Sequence, residues 1–235
     1  TKNLTETNAV LTSSGTLSIS DVDSASTYQA QTISGTYGSL TIATNGAWTY
    51  TAITARNEFV AGTNYQDIFT VRSADGTTST VTVNIAGSND AAVITGTTTA
   101  SLTETNAVQT ATGTLTSSDV DGTTNLFTAL ASTTGSGGYG TFSMTTAGVW
   151  TYTMTSAQDQ FRLGTNYTDS VTVTSADGTA QLITVTIAGS NDAAVITGTT
   201  TGNVIEAGGA LNVTPGTPTA TGTLSATDVD SATTF

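Results

Sequence analysis

The sequence predicts an all-β chain of tandem Greek-key β-sandwich domains arranged end to end, on three observations. First, long blocks return at domain-sized intervals. LTETNAV at residues 4–10 reappears at 102–108, an offset of 98, and AGSNDAAVITG at 86–96 reappears at 188–198, an offset of 102. A period near 100 suits one β-sandwich and is too long for a solenoid coil or a propeller blade. Second, Thr and Val alternate in residues 81–85 (VTVNI), 171–174 (VTVT) and 183–187 (ITVTI), the two-residue period of half-buried strands. Third, Asn45-Gly46, Asp75-Gly76 and Asp177-Gly178 punctuate these runs, and Asp-Gly between alternating segments signals a hairpin.

Each period holds about seven short strand signals and one tryptophan, Trp48 or Trp150, in a WTY strand. That count and the single Trp fit an immunoglobulin-like sandwich with the indole in the core. No segment carries a helical period; residues 57–62 and 159–164 are expected to form at most one short helical turn. Tyr65 and Tyr167 each precede the penultimate strand of their repeat, where a tyrosine corner belongs or where a ring simply fills the end of the core. The repeated linker places one domain at residues 1–89, a second at 90–191, and the start of a third at 192–235. Those last 44 residues are too few to bury a core alone. The third segment therefore belongs to a longer tandem array or is completed by another molecule.

Composition narrows the chemistry. Seventeen Asp and Glu face four Lys and Arg, a net charge of −13 in 235 residues. Such a balance excludes nucleic acid and anionic membranes as partners, since both require cationic side chains. There is no histidine, no cysteine and one lysine. That removes thiol chemistry, disulfides, imidazole bases and the usual zinc sites. No apolar run is long enough to span a membrane, and no basic-then-apolar leader opens the sequence.

Fifteen of the seventeen acids sit at positions that recur between repeats. They are Glu6, Glu104 and Glu206; Asp21, Asp119 and Asp228; Asp23, Asp121 and Asp230; and the pairs Asp67/Asp169, Asp75/Asp177 and Asp90/Asp192. Only Glu58 and Asp159 stand outside the pattern. Strand direction sorts them. In the second repeat the first strand runs away from the linker and ends near Glu104, and the next returns to leave Asp119 and Asp121 beside that linker. The last hairpin runs from Asp169 at the trailing pole to Asp177 at the leading pole, eight steps of roughly 3.3 Å, or about 26 Å. Placed end to end, the first junction gathers Glu6, Asp67, Asn89, Asp90, Asp119, Asp121 and Asp177. The second gathers Glu104, Asp169, Asn191, Asp192, Asp228 and Asp230. Asp21, Asp23 and Asp75 form the corresponding leading pole of the first repeat.

Crowded like charges repel and resist ionisation unless a cation joins them. Calcium accepts six to eight oxygens from carboxylates, amide carbonyls and water in irregular geometry, whereas magnesium demands a tight octahedron and keeps its waters. The pattern therefore predicts Ca2+ at the junctions, with two or three ions at each. Against it stands the local preference of Asp and Asn for turns, which explains any single position but not the joint recurrence.

At this point the residues resemble a known family. Residues 113–196 (GTLTSSDVDG, YGTF, GVWTYTM, TDSVTVTSADGT, ITVTIAGSNDAAVI) are similar to VCBS repeats, cadherin-like tandem domains of large bacterial RTX-type surface adhesins. The first repeat shares GTLSISDVD, YGSLTIATNGAWTYT, TVRSADGT and VTVNIAGSND. The LxE, DxD, AxD and ND elements also resemble those of cadherin repeats, and the resemblance implies calcium bound between successive domains. Two departures stand out: Ala92 and Ala194 occupy a place where the family linker usually has proline, and the loops after Asp121 and Glu206 are longer than in the first repeat.

The resulting expectation is a non-enzymatic module: extender or adhesion repeats of a bacterial cell-surface adhesin or extracellular fibre, rigidified by calcium, as found in surface filaments and biofilms. Its partners are neighbouring repeats, with other copies in a fibre, glycans or cell surfaces also in view. The alternative is a glycan- or surface-binding β-sandwich of the same kind of secreted protein. A hydroxyl array like an ice-binding face ranks lower, because Thr is common on exposed strands anyway. Catalysis by carboxylate pairs ranks last, since these acids recur at junctions rather than lining one aromatic cleft.

Overall fold

The computed structural model describes residues 1–208, 211 and 214–232, and its regular structure consists of seventeen β-strands with no α-helix among the described residues. No helix there is long and apolar enough to cross a membrane. The chain gathers into two compact units. One comprises Thr1–Thr95, Thr116–Phe127 and Thr174–Ala180; the other comprises Gly96–Leu115, Thr128–Val173 and Gln181–Phe235.

In the first unit, repeat one forms a seven-stranded sandwich. The strands are β1 (Lys2–Thr5), β2 (Thr12–Thr16), β3 (Gln31–Ser34), β4 (Gly38–Ile42), β5 (Ala47–Ala52), β6 (Asn64–Arg72) and β7 (Thr78–Ala86). One sheet has the order β1-β7-β6, the other β2-β5-β4-β3. β1 runs parallel to β7, with Lys2 opposite Val83 and Thr5 opposite Ala86, while the remaining pairs are antiparallel. Alternation decides which side chains enter. Leu40, Ile42, Trp48, Tyr50, Phe69, Val71, Val83 and Ile85 point between the sheets and are buried, each contributing roughly 1.5–3 kcal/mol through removal from water. The intervening Thr and Ser face outward.

Repeat two repeats this plan and adds one strand. Its elements are β8 (Val93–Gly96), β9 (Thr99–Thr103), β10 (Thr110–Ser118), β11 (Leu130–Thr134), β12 (Gly140–Met144), β13 (Val149–Met154), β14 (Asn166–Thr174) and β15 (Ala180–Ala188). The sheets run β11-β12-β13-β10-β8 and β14-β15-β9, with β9 parallel to β15. Leu115, Phe142, Trp150, Tyr152, Ile183, Val185 and Ile187 fill the core. Farther along, β16 (Val195–Gly198) and β17 (Leu224–Thr227) pair antiparallel as a two-stranded sheet.

Both tryptophans lie in the core as expected, at 6% and 0% exposure. Gly15 and Gly113 make room for them: a Cβ there would lie 2.7 and 2.6 Å from the indole rings. The Asp-Gly hairpins form with three-residue loops. Ser73 donates its amide to the Thr77 carbonyl, and Gly76 takes φ 96°, a conformation only glycine adopts freely. The Tyr65 hydroxyl accepts the Val60 amide at 3.1 Å while its ring stacks on Phe59. Tyr167 does the same with the Arg162 amide and Phe161. The short helical turns expected after Asn57 and Asp159 are absent. Those segments form successive tight turns closed by Phe59 on Arg56 and Phe161 on Gln158, because the stacked Phe and Tyr fix the chain in an open course.

Candidate metal centre

The parallel strand pair builds each site. Because β1 and β7 end level, the Glu6 amide reaches the Ala86 carbonyl at 2.8 Å, and Glu6 arrives beside the linker. Ser88 donates its hydroxyl to Glu6 Oε2 at 2.6 Å, leaving Oε1 buried without a donor. Asn8 donates to Asp90 Oδ1 at 2.6 Å, again leaving the second oxygen, Oδ2, buried and unpartnered. Asn57, in the loop after β5 at the position that Asp159 holds in repeat two, also has a buried and unpartnered Oδ1.

In the second unit the same parts recur. β9 and β15 deliver Glu104, with its amide on the Ala188 carbonyl at 2.8 Å. Ser190 holds Glu104 Oε2 at 2.6 Å, and Asn106 holds Asp192 Oδ1 at 2.8 Å. The orphaned oxygens are Glu104 Oε1, Asp159 Oδ1 and Asp192 Oδ2. Ligand atoms of these three residues lie within 4.8 Å of one another. Three carboxylates that close repel by about 3–4 kcal/mol per pair at an effective dielectric of about 20. Buried polar atoms almost always find partners. Six orphaned oxygens at matching places, three in each set, therefore fit a positively charged guest. All are hard oxygen donors, the set calcium prefers.

The expected acids of the following repeat lie next to the first set, within the same compact unit. Asp90 donates its amide to Asp121 Oδ1 at 3.2 Å, and Ala92 donates its amide to Asp177 Oδ2 at 3.0 Å. Asn89, Asp119, Asp121 and Asp177 line a cavity of about 190 Å3, together with Val60, Ala61 and the Thr123–Thr124 loop. Burial and the neighbouring Asp121 carboxylate push the Asp119 carboxyl up. Asp177 shows the reverse: burial pushes it up, but the Ser175 and Thr179 hydroxyls and the Ala92 and Thr179 amides hold it well below the usual carboxylate range. At the second set, Asp192 donates its amide to Asp230 Oδ2 at 3.4 Å, and Asp228 accepts the amides of Asp230 and Ser231. The Asp230 side chain holds Asp228 below the usual range. Asn191, like Asn89, turns its amide back onto the adjacent Asp carbonyl.

Two expected ligands belong elsewhere. Asp67 and Asp169 sit on β6 and β14, 3% and 0% exposed, with their carboxylates already filled. Asp67 accepts the amides of Thr36, Tyr37 and Gly38 and the Tyr50 hydroxyl. Asp169 accepts those of Gly137, Tyr139 and Gly140 and the Tyr152 hydroxyl. A carboxylate taken up by four donors clamps a loop rather than reaching a cation. Asp21, Asp23 and Asp75 stay at the surface as turn residues. Asp21 accepts the Asp23 and Ser24 amides, and Asp75 accepts Ser73 and Thr77. The Asp23 amide lowers Asp21, and the Ser73 hydroxyl lowers Asp75.

The sequence pattern missed Asn57 and Asp159. Comparing repeats by charge sets Asp159 aside, because repeat one has a neutral residue there. Comparing them by side-chain oxygen pairs it with Asn57, since both end in a hard acceptor. Asn8, Asn106, Ser88 and Ser190 were likewise repeated in plain sight but carry no charge.

The bacterial cadherin-like domain family matches residues 1–87 and again residues 89–189. The chain belongs to the bacterial cadherin-like domain family. Domains of this kind are adhesion and structural modules. A comparison with curated proteins found no match. Among solved structures, the protocadherin GammaB4 extracellular domain is 13% identical, with 98% of this chain and 37% of that one covered at a TM-score of 0.44. The protocadherin gammaB7 EC3-6 cis-dimer is 11% identical over 83% of this chain and 48% of that one, TM-score 0.47. A Ca2+-stabilized adhesin of an Antarctic bacterium that binds ice is 18% identical over 84% and 49%, TM-score 0.26. This cadherin-like chain thus spans less than half the length of each.

Proposed function

We propose that this chain supplies calcium-rigidified extender repeats, of the VCBS type, to a bacterial cell-surface adhesin or extracellular fibre. One observation carries the reading. Glu6 Oε1, Asn57 Oδ1 and Asp90 Oδ2, and their counterparts Glu104 Oε1, Asp159 Oδ1 and Asp192 Oδ2, are buried oxygens without donors. Each set lies against the Asp-Val-Asp acids of the following repeat, Asp119 and Asp121 or Asp228 and Asp230. With repeats taken at 1–89, 90–191 and 192–235, no single repeat owns a complete site. Calcium binding and alignment of neighbours are then one event. Without calcium the acids repel and the joints loosen; outside the cell the ion stabilises the ordered form by mass action.

The glycan-binding alternative draws no support from the tryptophans, since both are buried. Calcium titration by calorimetry tests the leading reading. Wild-type protein should take up calcium at two independent groups of sites, and Glu104→Gln should remove one group while sparing the other. Small-angle scattering should then show a more extended, narrower size distribution with calcium than with chelator. No calcium uptake, or a scattering profile indifferent to it, would overturn the proposal.

A further inference from the structure

Asp177 is as fully occupied as the two loop clamps, Asp67 and Asp169. Its Oδ1 accepts the Ser175 hydroxyl and the Thr179 amide, and its Oδ2 accepts the Thr179 hydroxyl at 2.5 Å. The fourth donor comes from outside the hairpin. The Ala92 amide of the linker is shared between Asp177 Oδ2 and the Thr179 hydroxyl oxygen, at 3.0 Å from each. A carboxylate offers about four lone-pair sites, so none is left over for a cation. Ala92 is 6% exposed. Its N–H is therefore withdrawn from water and depends on the acceptors that the hairpin supplies.

We infer that Asp177 and Thr179 are positioning residues rather than calcium ligands: they latch the linker to repeat two through the Ala92 amide, and the latch holds without calcium. The cradle is a property of the hairpin itself. Asp75 in repeat one takes the Ser73 hydroxyl, the Thr77 amide and the Thr77 hydroxyl in the same way. Both hairpins close on a glycine of positive φ, Gly76 or Gly178. Asp177 and Thr179 thus stand ready for the linker with no cation to arrange them. The bond they receive is charge-assisted, the stronger kind. A proline at position 92 would carry no N–H and could not make it.

The latch deepens the calcium reading and rests on it in one respect only, the place where the joint loosens. Two residues before Ala92, Asp90 is held by Asn8 at one carboxylate oxygen and donates its amide to Asp121 Oδ1 at 3.2 Å. Asp90 and Asp121 are both buried carboxylates, and Asp90 keeps an orphaned oxygen. Without a cation such a pair repels, and the Asp90 contact opens. The Ala92 contact has no second carboxylate to repel it. Withdrawing calcium therefore frees the linker as far as Asp90 and leaves it anchored from Ala92 onward.

The test is amide hydrogen exchange on the 15N-labelled full chain, in calcium and in chelator. The Ala92 amide should be protected equally in both, whereas the Asp90 amide should lose its protection in chelator. Thr179→Val should speed Ala92 exchange in chelator by about tenfold, the effect of one lost hydrogen bond. Thr179→Ser, which restores the hydroxyl, should not. The Ser175 amide, closed on the Thr179 carbonyl at 2.9 Å, reports that the hairpin stays intact in each variant. Asp177→Ala should free Ala92 as well, yet leave the number of calcium ions taken up in calorimetry unchanged. Fast Ala92 exchange in chelator, equal exchange in the two Thr179 variants, or an ion lost with Asp177→Ala would overturn the latch. An Asp90 amide protected in both conditions would overturn the placing of the loosened segment. Protected Ala92 in a wild-type chain that takes up no calcium would support the latch and overturn the calcium reading alone.

Discussion

At the residue scale, carboxylates of one type do two jobs, and hydrogen-bond occupancy separates them. Asp169 takes three amides and a phenol, so Asp169→Ala should strand four donors in the core of repeat two. A cost above about 3 kcal/mol is expected, since each bond to a charged acceptor contributes roughly 1.5–3 kcal/mol. Asp169→Asn, which keeps one acceptor, should cost less. Chemical denaturation measures both, and calcium uptake by the still-folded protein should be unchanged. The orphaned oxygens make the opposite forecast. Asn57→Asp gives the first set the charge that Asp159 gives the second and should tighten calcium there by roughly tenfold, about 1.4 kcal/mol. Asp159→Asn should weaken the second set by a similar factor. Calorimetry on the two variants should show opposite shifts in different binding phases; shifts in the same phase would contradict the assignment.

At the scale of elements, alternation and turn residues made most strands readable, and the same rule explains one misplacement. Asp67 lies near the start of β6, whose first residue Asn64 pairs with Ala86 beside the linker, but position along a strand does not give facing. Asp67 is in phase with Phe69 and Val71, which point inward, so the carboxylate enters the sandwich and meets the loop before β4. The parallel pairing of β1 with β7 was not legible, because a two-residue period is the same for either direction. Yet that pairing brings Glu6 level with the linker. The buried clamp between strands also has a pH signature. Burial, and after it the Asp67 and Asp169 charges, raise the Tyr50 and Tyr152 hydroxyls above their ordinary value of 10.0. A group raised on folding stabilises fully below its unfolded value and loses that contribution as pH climbs above it. Urea midpoints should hold steady up to about pH 10 and fall beyond it, and Tyr50→Phe with Tyr152→Phe should flatten the fall at the cost of lower stability near neutrality.

For the whole molecule, charge is the quantity that function must manage. A net −13 with four basic residues leaves the protein unable to neutralise its acids internally. Among the described residues one salt bridge forms, Arg56 with the exposed Glu58. An exposed pair of this kind adds little stability. Stability should therefore depend on an outside cation, and on which cation. At calcium concentrations about a hundredfold above the dissociation constant, each occupied site adds roughly 2.7 kcal/mol. Sodium at equal ionic strength only screens exposed charges and leaves buried orphaned oxygens unmet. Thermal unfolding should accordingly shift upward by many degrees with millimolar calcium, far less with magnesium, and scarcely with sodium. Asp121→Ala draws the finer line, because it removes an acid of repeat two that meets the linker amide of Asp90. It should lower the calcium-dependent gain at the first set and leave the Glu104–Asp192 set responsive. Equal loss at both sets would mean that the two centres do not act as separate joints.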